Sequence, residues 1–120
     1  MKLADIMAAA DQAFPNFEFE IEREGGAKPI TVLFRSTLRL SPERRAEVME
    51  HKAEAAEGDT LTKQAESEKA ALSKLVEDEA HIEKIEEIFS QSPDDRDILW
   101  IQLGRTYAEA TQVGEAKPSQ

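Results

Sequence analysis

The chain has 120 residues, of which 25 are acidic and 15 basic, and its formal net charge is −10. This charge argues against nucleic acids and anionic membranes as direct partners, because both need a surface rich in Lys and Arg. The sequence contains no cysteine, which excludes disulfides and thiolate chemistry. We expect a cytoplasmic protein without a signal peptide or membrane-spanning segment. The length suits one small domain, which we place at residues 1–112, with a flexible C-terminal tail at 113–120.

The first part of the domain, residues 1–40, predicts one short helix followed by a β-hairpin. Apolar residues at intervals of three and four over residues 2–14 form the stripe of an amphipathic helix that the following proline ends. Residues 17–23 alternate apolar and charged side chains, and residues 30–35 are rich in β-branched and aromatic residues. Because a lone hairpin is marginally stable in water, we expect the N-terminal helix to cover its apolar face. A third short strand at 37–40 is left open.

The second part of the domain, residues 41–112, predicts about three helices. Two Ser-Pro pairs are typical helix starts, because Ser caps an N-terminus and Pro suits the first helical position. Between them, Gly58-Asp59 breaks the helical pattern and Thr60 can cap the next helix. We predict helices at residues 41–57, 61–89 and 92–111. Residues 53–71 carry almost only polar side chains and alanine, so we expect this segment to be weakly anchored. The predicted fold class is α+β, mostly α.

The sequence gives little indication of catalysis. His51 and His81, even with Glu77 on the same helix as His81, offer too few ligands for a metal site. The acidic run EDEAHIEKIEE resembles helices that hold Mg²⁺ in all-helical nucleotide pyrophosphohydrolases. Its carboxylates, however, alternate with Ile82 and Ile85 as on an ordinary amphipathic helix. We therefore predict a protein that is not an enzyme and that needs no metal and no cofactor.

Two apolar stripes in the helical part are candidates for the core or for a partner-binding surface. Trp100 and Tyr107 lie two helical turns apart on one of them. We favour a core position for this pair, because the chain has few other large residues to fill a core, although an exposed pair would suit an interface. We hypothesise that the members of both stripes divide between core and partner surface. They are Leu72, Leu75, Ile82, Ile85, Phe89, Trp100 and Tyr107.

Short motifs near both ends of the chain carry a resemblance to a known family. The segment W-x6-YAEATQVGEA, from Trp100 to Ala116 near the end of the final predicted helix, resembles the end of tail assembly chaperones of long-tailed (siphovirus-type) actinobacteriophages. Together with the residues just before Trp100, this part of the resemblance spans about 98–116. The segment VLFRSTLRLSPERRAEV, at 32–48, is similar to the strand, the L-R-L-S step and the charged helix start of the same family, and FEFEIEREGG precedes it. The middle of the chain, 50–90, matches only in being helical and charged.

The resemblance implies a non-catalytic protein that acts in the host cytoplasm and is absent from the finished virion. It implies binding to the tape-measure protein, which the chaperone keeps soluble, and recruitment of tail-tube subunits. An acidic body with an amphipathic surface suits such a client. Two alternatives stay open. One is a small acidic inhibitor or DNA mimic that binds a basic host protein in a salt-dependent way, and the other is a self-associating structural protein.

Overall fold

The computed structural model describes residues 1–111, which form a hairpin and five α-helices. The elements are α1 (Leu3–Ala13), β1 (Phe17–Ile21), β2 (Ile30–Phe34), α2 (Pro42–Glu57), α3 (Leu61–Leu75), α4 (Ala80–Phe89) and α5 (Arg96–Thr111). The predicted α+β, mostly α class is confirmed, with four helices after the hairpin where about three were expected. The predicted tail, 113–120, lies outside the described residues.

The predicted hairpin is confirmed, with strands slightly shorter than expected. β1 and β2 are antiparallel, with Phe17 opposite Phe34 at one end of the register. The apolar residues of β1 are half-buried and its glutamates are exposed, as the alternating sequence predicts. In the connection, Gly25 and Gly26 have φ of 73° and 74°. Side chains with a Cβ rarely adopt this region, so the turn needs both glycines.

The N-terminal helix does not cover the hairpin, and this expectation was wrong. No residue of α1 is buried. The apolar face of the hairpin packs on α5 instead, where the ring centroid of Tyr107 lies 6.2 Å from that of Phe34 and 6.4 Å from that of Phe17. The prediction chose the element nearest in the chain, whereas α5 offers larger apolar side chains to bury.

The single long helix predicted over residues 61–89 is in fact two helices. α3 stops one residue before Val76, where the chain becomes extended and forms a β-bridge with Phe34. Two backbone hydrogen bonds of 2.9 Å flank this bridge. The segment between α3 and α4 therefore satisfies backbone groups on the far edge of β2, which the helical alternative would leave unpaired. The strand considered at 37–40 is instead a 3₁₀ turn, Thr37–Arg39.

Two of the three helix starts marked by hydroxyl residues are confirmed. The side chain of Ser41 accepts a hydrogen bond of 3.4 Å from the backbone N–H three residues later, and Thr60 does the same at 3.1 Å. The third start, at Ser92, was wrong. The backbone N–H of Asp95 donates to the carbonyl of Ser92 at 2.9 Å, which closes a turn, and α5 begins only at Arg96.

The core lies where α3 meets α2, α5 and the hairpin. The segment 53–71, expected to be weakly anchored, runs from the end of α2 through most of α3 and buries Ala55, Ala65 and Ala71. It thus contributes to the interior through small side chains, which let helices approach closely. The larger buried side chains are Val32, Phe34, Leu40, Val48, Leu72, Leu75, Val76, Ile82, Ile85, Trp100 and Tyr107.

Gly104 marks the point where α2, α3 and α5 meet. Glu68 of α3 lies across Gly104 of α5, and its carboxylate accepts hydrogen bonds of 2.9 and 3.2 Å from Lys52 of α2. A Cβ at position 104 would overlap this carboxylate. We expect Gly104→Ala to lower the free energy of unfolding by about 1–2 kcal/mol, because Glu68 must leave Lys52. Urea denaturation followed by circular dichroism measures this change.

The control for this prediction is the same substitution in a Glu68→Ala background. There the added methyl group meets no carboxylate, so the higher helix propensity of alanine should raise the free energy of unfolding by about 0.5–1 kcal/mol. The change of sign between the two backgrounds is the result to look for. Equal destabilisation in both would mean that Glu68 is not what excludes a Cβ from Gly104.

Candidate functional site

The seven apolar residues predicted to divide between core and partner surface lie mainly in the core. Six of them are at most 6 % exposed, and Phe89 is half-buried. The reason is geometric, because α3, α4 and α5 turn their apolar stripes toward each other and toward the hairpin. The six buried members are Leu72, Leu75, Ile82, Ile85, Trp100 and Tyr107.

The contacts of the two large aromatic residues of α5 confirm their predicted core position. The ring of Phe89 meets Trp100 edge-on, with centroids 5.1 Å apart, and Nζ of Lys69 lies 5.8 Å from the Trp100 ring. The hydroxyl of Tyr107 donates to the carbonyl of Arg35 at 2.6 Å. Both side chains are therefore engaged within the chain and do not offer a face to a partner in this conformation.

The largest group of exposed apolar side chains that follow one another at helical spacing lies on α1 instead. Leu3, Ile6 and Met7 are 71, 54 and 61 % exposed, and Phe14 just beyond the helix is also exposed. We call these four residues the α1 stripe. Their spacing places them on one side of the helix. Such a stripe normally faces a core, and an apolar patch that faces water marks an interaction site. The sequence pattern predicted this stripe, but we expected it to pack against the apolar face of the hairpin.

The α1 stripe is not what holds α1 in place. Near the C-terminal end of the helix, Asp11 forms an ion pair of 2.8 Å with Arg39. Directly after the helix, the side chain of Asn16 accepts a hydrogen bond of 2.9 Å from the backbone N–H of Ser36. Polar contacts at one end therefore orient α1 and leave the apolar side chains available.

A second candidate site is the charged cluster around Arg96. Its guanidinium pairs with Glu66 at 3.0 Å, with Asp97 at 2.9 Å and with Glu86, which also accepts a hydrogen bond of 2.8 Å from Lys69. The hydrogen bond from Arg96 holds the pKa of Glu86 far below its usual range, and the carboxylates raise the pKa of Arg96. Neither group can exchange a proton near neutral pH, so the cluster serves structure rather than acid–base chemistry.

Each of the two histidines pairs with an acidic side chain on its own helix or at its start. Nδ1 of His51 lies 3.1 Å from Oε1 of Glu54, and Nε2 of His81 lies 3.7 Å from Oδ2 of Asp78. Within residues 1–111, no three side chains of the metal-binding types are placed to share an ion. The same residues contain no helix with the length and apolar character that crossing a membrane requires.

Comparison of the chain with protein-family models, with curated proteins and with solved structures gives no match. The α1 stripe and the resemblance in the sequence are therefore the features that bear on function. That resemblance covers residues 17–48 and 98–116, of which 112–116 lie outside the described part of the chain.

Proposed function

We propose that this protein is a tail assembly chaperone of the kind found in long-tailed actinobacteriophages, which binds the tape-measure protein and catalyses no reaction. The observation that carries the proposal is the α1 stripe, an apolar helix face that points to solvent on an acidic body. A helical client can lay its own apolar face along such a stripe. The resemblance supplies the identity of the client.

The size of the α1 stripe fits a contact that forms and breaks readily. Burying one large apolar side chain contributes roughly 1.5–3 kcal/mol. The few side chains of the stripe must offset an association cost of roughly 4–15 kcal/mol, so a single contact is weak. A long client can instead be covered by several copies, each held loosely. Weak contacts suit a chaperone, because the client must be released when tail-tube subunits arrive.

The net charge of −10 is a second observation that supports the same function. A client that is covered by several strongly acidic copies carries a large negative charge. Electrostatic repulsion then keeps one such complex from associating with another in solution. The alternative function, an acidic inhibitor or DNA mimic, uses the charge as the binding surface itself. The two functions differ in their salt dependence, because salt screens exposed charges but not apolar contacts.

The test is co-expression with the tape-measure protein of the same genome, using the double variant Ile6→Ser, Met7→Ser. We expect the amount of soluble client to fall several-fold, because two side chains of the stripe become polar. Pull-down of the client by the unaltered protein should be similar at low and high salt. The thermal unfolding of the double variant alone should match that of the unaltered protein, because both positions are exposed.

The matched control is the double variant Met49→Ser, Ile98→Ser, which changes two similarly exposed apolar side chains outside α1. It should keep the client soluble. Equal loss in both double variants, or no loss in either, contradicts the assignment of the α1 stripe. Capture that disappears as salt rises contradicts the chaperone function and favours the acidic inhibitor.

A further inference from the structure

The two edges of the two-stranded sheet differ in their backbone hydrogen bonds to the rest of the chain. The far edge of β2 is bonded to the segment between α3 and α4 through the Phe34–Val76 bridge. β1 forms the other edge. Among the described residues, the backbone groups of β1 hydrogen-bond to β2 and to no other element. The outer N–H and C=O groups of β1 are therefore available to another extended strand.

The exposed side chains of β1 are all carboxylates. Glu18 and Glu20 project from the outer face of the strand, and Glu22 follows just beyond it, also exposed. Within residues 1–111, none of the three takes part in an ion pair. Their neighbours across the hairpin, Leu33 opposite Glu18 and Thr31 opposite Glu20, carry no charge. The strand thus carries a row of carboxylates that form no ion pair within residues 1–111, spaced by about 7 Å.

The opposite face of β1 is apolar and only partly covered. Phe17, Phe19 and Ile21 are half-buried, whereas Val32 and Phe34 behind them on β2 are fully buried. A strand added beside β1 would place its own inward side chains next to these half-buried residues. An added strand that alternates apolar and basic residues would therefore match both faces of β1.

The same charges exclude a second copy of this chain as the added strand. Pairing β1 with β1 of another copy would bring glutamates close to glutamates on the outer face, and like charges on neighbouring strands are destabilising. A strand with Lys or Arg at alternate positions removes this repulsion and replaces it with attraction.

We propose that β1 is a docking edge for an extended, basic segment of another protein, which adds a third strand to the sheet. The backbone hydrogen bonds provide the geometry, and the alternation of basic and apolar side chains provides the selectivity. This surface uses none of the residues of the α1 stripe, so the inference stands apart from the proposed chaperone function and can fail without it.

The first test measures binding of a fluorescein-labelled peptide, acetyl-TKVKVKT-amide, by fluorescence anisotropy at low salt. We expect the double variant Glu18→Gln, Glu20→Gln to bind the peptide at least roughly tenfold more weakly than the unaltered protein, because both attractions to lysine are lost. The matched control is Glu50→Gln, Glu57→Gln, which changes net charge equally at two exposed positions of α2. The control should change affinity by less than about twofold.

The second test separates strand pairing from simple charge attraction. Two further peptides carry N-methyl groups on alternate amides, one on the odd positions and one on the even positions. Only one set of amides can face β1 in a paired strand, so one methylated peptide should lose binding and the other should keep it. Equal binding of both methylated peptides, equal affinity of the two double variants, or no binding of the parent peptide would each overturn the proposal.

Discussion

Replacing Trp100 by alanine is expected to lower the free energy of unfolding by about 3–5 kcal/mol, the largest effect of any single substitution proposed for this chain. Trp100 is fully buried, and its ring contacts Phe89 and lies beneath the ammonium group of Lys69. Small domains have a total stability of roughly 5–15 kcal/mol. The variant should therefore be close to unfolding at 37 °C, with a Tm lower by roughly 10–20 °C in thermal denaturation followed by circular dichroism.

The control for Trp100 is replacement by phenylalanine. The indole N–H of Trp100 has no hydrogen-bond partner among the described residues, so phenylalanine loses packing volume but no hydrogen bond. The cost should be clearly smaller, about 1–2 kcal/mol. If phenylalanine destabilises the protein as much as alanine does, the ring packing described for Trp100 does not account for its contribution.

Replacing Arg96 by methionine is expected to give the second largest effect, a loss of about 1–3 kcal/mol. Arg96 is only 16 % exposed and joins α5 to α4 and α3 through Glu86 and Glu66. Without Arg96, the carboxylates that it pairs with repel one another, and Lys69 is the cation that still pairs with Glu86. The matched control is Arg105→Met, also on α5, because Arg105 is exposed and forms no ion pair within residues 1–111. The control should change the free energy of unfolding by less than about 0.5 kcal/mol.

The contribution of the cluster should depend on pH in the acidic range. Because Arg96 lowers the pKa of Glu86 in the folded protein, the stabilisation is complete above the unfolded pKa of a glutamate, about 4.3. It is lost progressively as the pH falls below that value, because the unfolded chain then takes up a proton that Glu86 does not take up in the folded protein. The difference in free energy of unfolding between the unaltered protein and Arg96→Met should therefore narrow between pH 6 and pH 3. A difference that stays constant over this range would contradict the role given to Glu86.

The sequence predicted those features of the fold that depend on local chemistry. The period-two alternation from Phe17 and the hydroxyl caps at Ser41 and Thr60 each act within a few residues, and each is confirmed. The errors concern features that depend on distant residues. Helical periodicity continues through Val76, yet this residue is extended because β2, far away in the chain, needs a backbone partner there. No local pattern contains that requirement.

The candidate site shows the same limit. An apolar stripe on a helix was readable at residues 2–14 and at two places in the helical part, but periodicity does not say which stripe faces water. That outcome depends on which helices find partners. The stripes of α3, α4 and α5 cover one another and the hairpin, so the stripe of α1 remains exposed. The free edge of β1 follows likewise from the bridge at Val76, which occupies the other edge of the sheet.

The Phe34–Val76 bridge also has a consequence for the order of events during synthesis. A two-stranded hairpin is marginally stable by itself, and this one is completed by a bridge at residue 76 and by the packing of α5. The hairpin of a nascent chain therefore becomes stable only after residue 76 and α5 have left the ribosome, which requires most of the polypeptide to be synthesised. Glutamates alternate with the apolar residues of β1, and such charges should limit pairing of this segment with other unfolded chains before the hairpin is completed. Native structure should then form in one late, cooperative step rather than by growth from the N-terminus.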